Sequence, residues 1–140
     1  MFVKNIKLRN YRNYESLNGE NGLNFGKKVT LLIGKNGTGK TNLIHALKQS
    51  LTFIFSKNSK VSQRNFVANT IMSIKSFDTT DAMRKRNEDG TQNMEGTWPI
   101  KITTNIDISS RNILNKSLEV VFERESISSG MKESYSESSI

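Results

Sequence analysis

Cysteine is absent from the 140 residues of the chain, and there is a single histidine. Without cysteine, disulfides, thiolate metal sites and cysteine nucleophiles are excluded. No run of apolar residues approaches the length of a membrane span, and residues 1–10 alternate charged and apolar positions where a signal peptide would be continuously apolar. We therefore expect a cytoplasmic protein.

Apolar residues are also scarce, at 34% of the composition, and the mean hydropathy is −0.55. A chain of this length can nevertheless bury roughly two-thirds of its unfolded surface. One stable domain is therefore expected, with part of the chain outside its core.

Charge is distributed unevenly along the chain. Residues 1–70 contain twelve Lys and Arg against two Glu, a net +10, whereas residues 71–140 contain nine Lys and Arg against eleven Asp and Glu, a net −2. A basic half of this kind favours a polyanionic partner, and a solvated basic surface explains the same charge equally well.

A glycine-rich loop follows a short apolar run in residues 31–47, LLIGKNGTGKTNLIHAL. Gly34, Gly39, Lys40 and Thr41 satisfy the pattern G-x-x-x-x-G-K-[ST]. Glycine accepts the positive φ values that turn successive backbone N–H groups toward an anion, and a helix starting at the same point adds unpaired N–H groups. The motif therefore predicts nucleotide binding, with Lys40 on the β- and γ-phosphates and the Thr41 hydroxyl on Mg²⁺.

The residues expected to bind the nucleotide are those of the whole loop: Gly34, Lys35, Asn36, Gly37, Thr38, Gly39, Lys40 and Thr41. Thr41 is also the expected metal ligand. A GTPase would carry D-x-x-G and N-K-x-D, and neither pattern occurs in the sequence. The expected cofactors are therefore ATP and Mg²⁺.

Hydrophobic patterning predicts a strand, the loop and a helix in succession. The run KKVTLLI, residues 27–33, is apolar enough for a strand covered on both faces, as in a parallel sheet. Apolar residues at helical spacing predict a helix from about Lys40 to about Phe55. Alternating or β-rich patterns predict further strands, at residues 2–11, 23–25, 100–109 and 118–125.

A resemblance to a known family rests on two segments, IKLRNYRNYESL at residues 6–17 and NFGKKVTLLIGKNGTGKTNLIHAL at residues 24–47. Together they resemble the N-terminus of the RecF/SMC-like branch of ABC-type ATPases, which includes DNA-repair ATPases and the ATPases of anti-phage systems. Members begin with L-x-N-[FY]-R-x-[FY], matched by Leu8, Asn10, Tyr11, Arg12 and Tyr14, and continue with G-x-N-G-[ST]-G-K-[ST], matched from Gly34 to Thr41. The resemblance is dense over roughly residues 1–55 and thin beyond them.

The resemblance implies an α/β fold, the N-terminal lobe of an ABC-ATPase-like P-loop NTPase with an added antiparallel β-subdomain, in incomplete form. It places Arg12 near the nucleotide phosphates and Asn36 on the γ-phosphate side. It also implies DNA as a partner, a nuclease or other effector subunit, and dimerisation through the nucleotide site in the complete protein.

Several groups that this family uses for hydrolysis have no clear counterpart in the sequence. An apolar strand ending in Asp-Glu is absent, and VVFE ending at Glu123 is the nearest approach. The only histidine, His45, follows the loop on the expected helix and is interpreted as a packing or surface residue. Gln63 and the segment Ile127–Glu133, ISSGMKE, are weak candidates for the sensing glutamine and the signature motif.

We therefore interpret residues 1–125 as the N-terminal lobe of the ATPase domain and residues 126–140, with seven serines, as a disordered or truncated tail. Two alternatives stay open. One is a nucleotide sensor that binds ATP without hydrolysing it. The other is a nucleic-acid module in which the loop grips backbone phosphates while Tyr11 and Tyr14 stack on bases.

Overall fold

The structure is a computed structural model that describes residues 2–35, 37, 39–58, 76–83, 88–91, 96–109 and 115–139. Its elements in chain order are β1 (Phe2–Tyr11), β2 (Tyr14–Ser16), β3 (Leu23–Asn24), α1 (Lys40–Asn58), β4 (Ile100–Asp107), β5 (Lys116–Arg124) and β6 (Lys132–Ser139). In the described part of the chain, no helix combines the length and the apolar composition needed to cross a lipid bilayer.

The strands form one sheet in the order β2-β1-β4-β5-β6, and β3 also pairs with β1. Every described pair is antiparallel. The register of β4 with β5 runs from Ile100 opposite Arg124 to Asp107 opposite Ser117. The strands expected at 2–11, 23–25, 100–109 and 118–125 are thereby confirmed, with β2 as an addition that the sequence did not indicate.

One face of this sheet carries the core. The buried side chains recur at every second position, which is the periodicity that places them on a single face. They are Ile6 and Leu8 of β1, Ile100, Ile102 and Ile106 of β4, and Leu118, Val120 and Phe122 of β5. Burying one such side chain stabilises the fold by about 1.5 to 3 kcal/mol. The apolar alternation in the sequence therefore corresponds to the buried face of the sheet.

The helix α1 packs on this face through a narrow stripe. Leu43, Ala46 and Ser50 lie on one side of the helix at spacings of three and four, and all three are buried. The Ser50 hydroxyl lies 2.7 Å from the Thr104 hydroxyl of β4 and donates to the Ala46 carbonyl at 3.4 Å. A buried polar contact therefore fixes where the helix crosses the sheet.

The buried strand expected at residues 27–33 is not formed, so that prediction is wrong for this structure. Val29, Leu31 and Ile33 are 82%, 78% and 85% exposed, whereas Leu32 packs partly against the core. A strand covered on both faces needs neighbouring strands and a layer on each side. The described strands pair with one another in an antiparallel sheet, and this segment lies outside it.

The tail expected to be disordered contains a strand instead. Residues Lys132–Ser139 form β6, which pairs with β5 from Lys116 opposite Ser139 to Glu123 opposite Lys132. Serine-rich composition indicated disorder because it offers little apolar surface. The β6 backbone nevertheless forms hydrogen bonds with β5 along one of its edges. The domain boundary at residue 125 stays a prediction.

The contact between α1 and the sheet yields a stability prediction. Thr104→Val removes the hydroxyl that meets Ser50 while keeping shape and β-branching, so the free energy of unfolding should fall by about 1 to 2 kcal/mol. Thr103→Val, on the less buried face of the same strand, is the matched control and should change it by less than about 0.5 kcal/mol. Denaturant unfolding of both variants measures the difference, and equal losses would contradict the prediction.

Candidate functional site

The glycine-rich loop enters α1 with the backbone geometry that its sequence predicts. Gly37 and Gly39 have φ values of +84° and +99°, a region that side-chain-bearing residues rarely adopt. The first described bond of α1 runs from the Leu43 N–H to the Gly39 carbonyl at 3.0 Å. The backbone N–H groups of the helix start therefore face outward at the loop. Asn36 and Thr38 lie outside the described residues.

Lys40 joins the two ends of the loop. Its Nζ donates a hydrogen bond to the Gly34 carbonyl, six residues earlier. The ammonium therefore reaches back from the start of α1 to the first residue of the loop. Thr41 is exposed at the start of α1, so its hydroxyl is accessible to a metal ion.

The last glycine of the loop contacts the β1–β2 turn and the first residue of β2. Tyr14 Oη donates to the Gly39 carbonyl at 2.9 Å. A Cβ at Gly39 would come within 2.8 Å of that hydroxyl and would also collide with the Asn13 amide. Gly39 is therefore required twice, once for its positive φ and once because two side chains fill the space where a Cβ would point.

Arg12 lies in the same turn and reaches the start of α1. Its guanidinium donates from NH1 to Asn42 Oδ1 at 2.8 Å, and from Nε and NH2 to Asp81 Oδ1 at 3.3 and 3.2 Å. The Arg12 backbone has a φ of +52°. The structure thus brings the arginine and the phosphate loop to one end of one helix, although 22 positions separate Arg12 from Gly34.

An open depression of about 590 Å³ lies beside the loop. Its lining residues are Arg12, Asn13, Asn42, Thr80 and Ala82. Asn42 Nδ2 donates to Asn13 Oδ1 at 2.8 Å, so the wall is a connected set of polar side chains. The Arg12 guanidinium and the amide groups of Asn13 and Asn42 give this depression hydrogen-bond donors that suit an anion. Across the described ranges, no cluster of three His, Cys, Asp or Glu side chains could hold a metal.

Tyr11 separates the Arg12 guanidinium from the core. It is 2% exposed, its ring centroid lies 6.0 Å from that of Phe77, and Arg12 Cζ lies 5.3 Å from the Tyr11 ring centroid. Burial raises the pKa of Tyr11 to about 12. Because Tyr11 is buried and Tyr14 is bonded to Gly39, the two side chains expected to stack on nucleic-acid bases are already engaged within the fold.

The other sequence candidates lie on α1, on β5 and around the start of β6, except for Gln63. Ile127–Glu133 spans the end of the connection from β5 and the first two residues of β6. Glu123 lies on β5 with its carboxylate 3.9 Å from Lys101 Nζ, and His45 is exposed on α1. Gln63 lies outside the described residues.

Sequence reasoning missed Asn13, Asn42 and Asp81. Asn42 directly follows the motif, so its position was a usable signal. Asp81 is 69 positions from Arg12 and no local pattern connects the two, so only the fold reveals this contact.

Comparison with known proteins identifies a family and relatives for this chain. A family model described as AAA domain matches residues 5–140. DNA replication and repair protein RecF of Bacillus cytotoxicus is 53% identical over 47 residues, and that of Bacillus thuringiensis is 51% identical over the same length. In both cases the match covers 34% of this chain and 12% of the relative, so the chain spans a small part of the proteins it matches.

A solved chain from work on ATP-driven dimerization and DNA-stimulated activation of SMC ATPases superposes with a TM-score of 0.53. The superposition covers 99% of this chain and 70% of the other, at 13% identity. This likeness concerns the fold alone. It confirms the expected fold class, an α/β N-terminal lobe of an ABC-type P-loop NTPase rich in antiparallel sheet.

The packing around Gly39 predicts unequal effects of two alanine substitutions. Gly37→Ala and Gly39→Ala both place a side chain at positive φ, which costs about 1 to 3 kcal/mol. Only Gly39→Ala also displaces Asn13 and Tyr14, whereas a Cβ at Gly37 meets nothing within 4 Å. Gly39→Ala should therefore reduce the free energy of unfolding by roughly 1 kcal/mol more than its control. Equal losses of the free energy of unfolding would show that the contacts of Asn13 and Tyr14 with Gly39 do not affect stability.

The raised pKa of Tyr11 predicts a loss of stability at alkaline pH. Tyr11 ionises at pH 10 in the unfolded chain and near pH 12 in the fold, so its stabilisation is complete below pH 10 and is lost as the pH rises through 12. The loss should be on the order of 2 to 3 kcal/mol. Tyr11→Phe should lack this component when unfolding is measured across the range. An unchanged alkaline decline in Tyr11→Phe would assign the effect to other groups.

Proposed function

Because the chain belongs to the AAA domain family and resembles the N-terminal part of RecF/SMC-like ABC-type ATPases, we propose that it binds ATP with Mg²⁺ at residues 34–41. The observation that carries the proposal is the convergence of the loop, the start of α1 and the Arg12 guanidinium at one place. We infer that these three kinds of group together form the phosphate-binding site.

Each residue has a role that follows from its position. Gly37 and Gly39 shape the loop so that backbone N–H groups face a phosphate. Lys40 exchanges the Gly34 carbonyl for phosphate oxygens and neutralises their charge. Arg12 provides a second cation from the neighbouring turn. Thr41 would hold Mg²⁺, which supplies charge neutralisation between the phosphates when bound.

Binding and hydrolysis are separate proposals. Hydrolysis of a phosphoanhydride requires a positioned water and groups that stabilise the transition state. The sequence contains no Asp-Glu pair, and Glu123, the nearest approach, lies on the antiparallel sheet beside Lys101. We propose that this chain binds ATP and that turnover depends on groups beyond these 140 residues.

The wider role follows from the relatives. The RecF proteins are named for DNA replication and repair, and the SMC work concerns ATP-driven dimerization and DNA stimulation. We propose that ATP binding here is likewise linked to DNA, in repair or in phage defence, and that the nucleotide site closes against a second copy in the complete cytoplasmic protein. We propose that a nuclease or other effector subunit responds to this ATP-dependent closure. The basic charge of residues 1–70 suits a DNA partner.

The proposal predicts the effect of removing the loop ammonium. Lys40→Ala should weaken ATP binding by about tenfold or more, because a charge-assisted phosphate contact contributes about 1.5 to 3 kcal/mol. Lys48→Ala, an exposed lysine two turns along α1, is the matched control and should leave the affinity unchanged. Calorimetric titration with and without Mg²⁺ measures both, and a phosphate-release assay should show turnover near background. Equal affinities of the two variants would refute a phosphate-binding role for the loop.

A further inference from the structure

The Asp81 carboxylate is buried and contacts the Arg12 guanidinium. The Asp81 side chain is 7% exposed, whereas that of Arg12 is 30% exposed. Asp81 Oδ1 accepts both the Nε and NH2 donors of Arg12, and the Asp81 main-chain carbonyl accepts the Arg12 N–H at 2.6 Å. One aspartate thus holds the main chain and the side chain of the arginine.

The carboxylate is itself held in place. Asp81 Oδ2 accepts the Asp78 N–H at 3.1 Å, so both of its oxygens have partners. The neighbouring residue Ala82 forms a β-bridge with Tyr11, and the Met83 N–H donates to the Asn10 carbonyl at 2.9 Å. The segment that carries Asp81 is therefore joined to the end of β1, and the carboxylate cannot follow Arg12 if the arginine moves.

Arg12 retains the capacity to bind an anion in this position. A guanidinium has five N–H groups, which is more than the three bonds to Asp81 and Asn42 use. Its side chain is partly exposed and lines the depression beside the loop. Because the guanidinium is rigid and planar, fixing two of its edges determines the direction of the third.

We propose that Asp81 is a positioning residue of the nucleotide site, which holds the Arg12 guanidinium against the first turn of α1 so that its remaining donors meet a phosphate oxygen. The inference rests on the proposed function, because it requires a phosphate at residues 34–41. Asp81 itself does not contact the nucleotide, since a buried carboxylate would repel it. The role is carried entirely by the geometry imposed on Arg12.

The test is a double-mutant cycle on ATP affinity, measured by calorimetry with the full chain and Mg²⁺. Asp81→Asn keeps the shape of the side chain and removes its charge, and it should weaken ATP binding roughly fivefold. In an Arg12→Gln background the same substitution should change the affinity by less than about twofold, because there is no guanidinium left to position. Asp107→Asn, at the opposite end of β1 and β4, is the control and should have no effect.

The outcomes separate this inference from the function on which it rests. Loss of affinity on Asp81→Asn of the same size in both backgrounds would overturn it, because the aspartate would then act other than through Arg12. ATP binding that depends on Lys40 and is indifferent to Asp81 would overturn it and leave the proposed function standing. No ATP binding by the unsubstituted chain would overturn both.

A folding defect in Asp81→Asn is a foreseeable complication, since removing one partner of a buried ion pair leaves the other uncompensated. Asp81→Glu then provides the second cycle. It keeps the charge and displaces the guanidinium by one methylene, so it should weaken ATP binding only when Arg12 is present. Equal effects with and without Arg12 would again contradict the inference.

Discussion

The turn between β1 and β2 is the constraint on which the site depends. Through Tyr14 it supports the carbonyl of the last loop glycine, and through Arg12 it contacts both the start of α1 and the segment around Asp81. The loop alone would be a flexible run of glycines, and the helix start alone would be one dipole end. Contact with a turn that is anchored in the sheet converts them into a surface of fixed shape.

The sheet supplies the rigidity that this turn requires. The registers of β1 with β4 and of β4 with β5 extend over most of each strand, and their inward side chains form one continuous core. The described side chains that pack the helix on that core include Leu43, Ala46 and Ser50. Its position therefore depends on polar contacts as well as on apolar burial, at Thr104 in the middle and at the β1–β2 turn at its start.

Sequence reasoning found the elements whose signal is local. Apolar alternation identified β1, β4 and β5, and the motif with its helical spacing located the loop and α1. It failed where the local structure depends on residues that are far apart in the sequence. The apolar run at 27–33 indicates a preference for burial but does not specify what covers it, and β6 is a strand because β5 offers it an edge, despite its polar composition. In the site, Lys40 and Arg12 were found from motifs, whereas Asp81 meets Arg12 only through folding.

Two of the four described non-glycine residues with positive φ lie where ligand recognition is proposed. Asn10 and Arg12 both have φ values near +52°, on either side of the buried Tyr11. Left-handed conformations of this kind cost a side-chain-bearing residue about 1 kcal/mol or more. Glycine would adopt the same conformation at position 12 without that cost, and it would remove the guanidinium. Local backbone stability and the proposed anion-binding role therefore make opposite demands on this one residue.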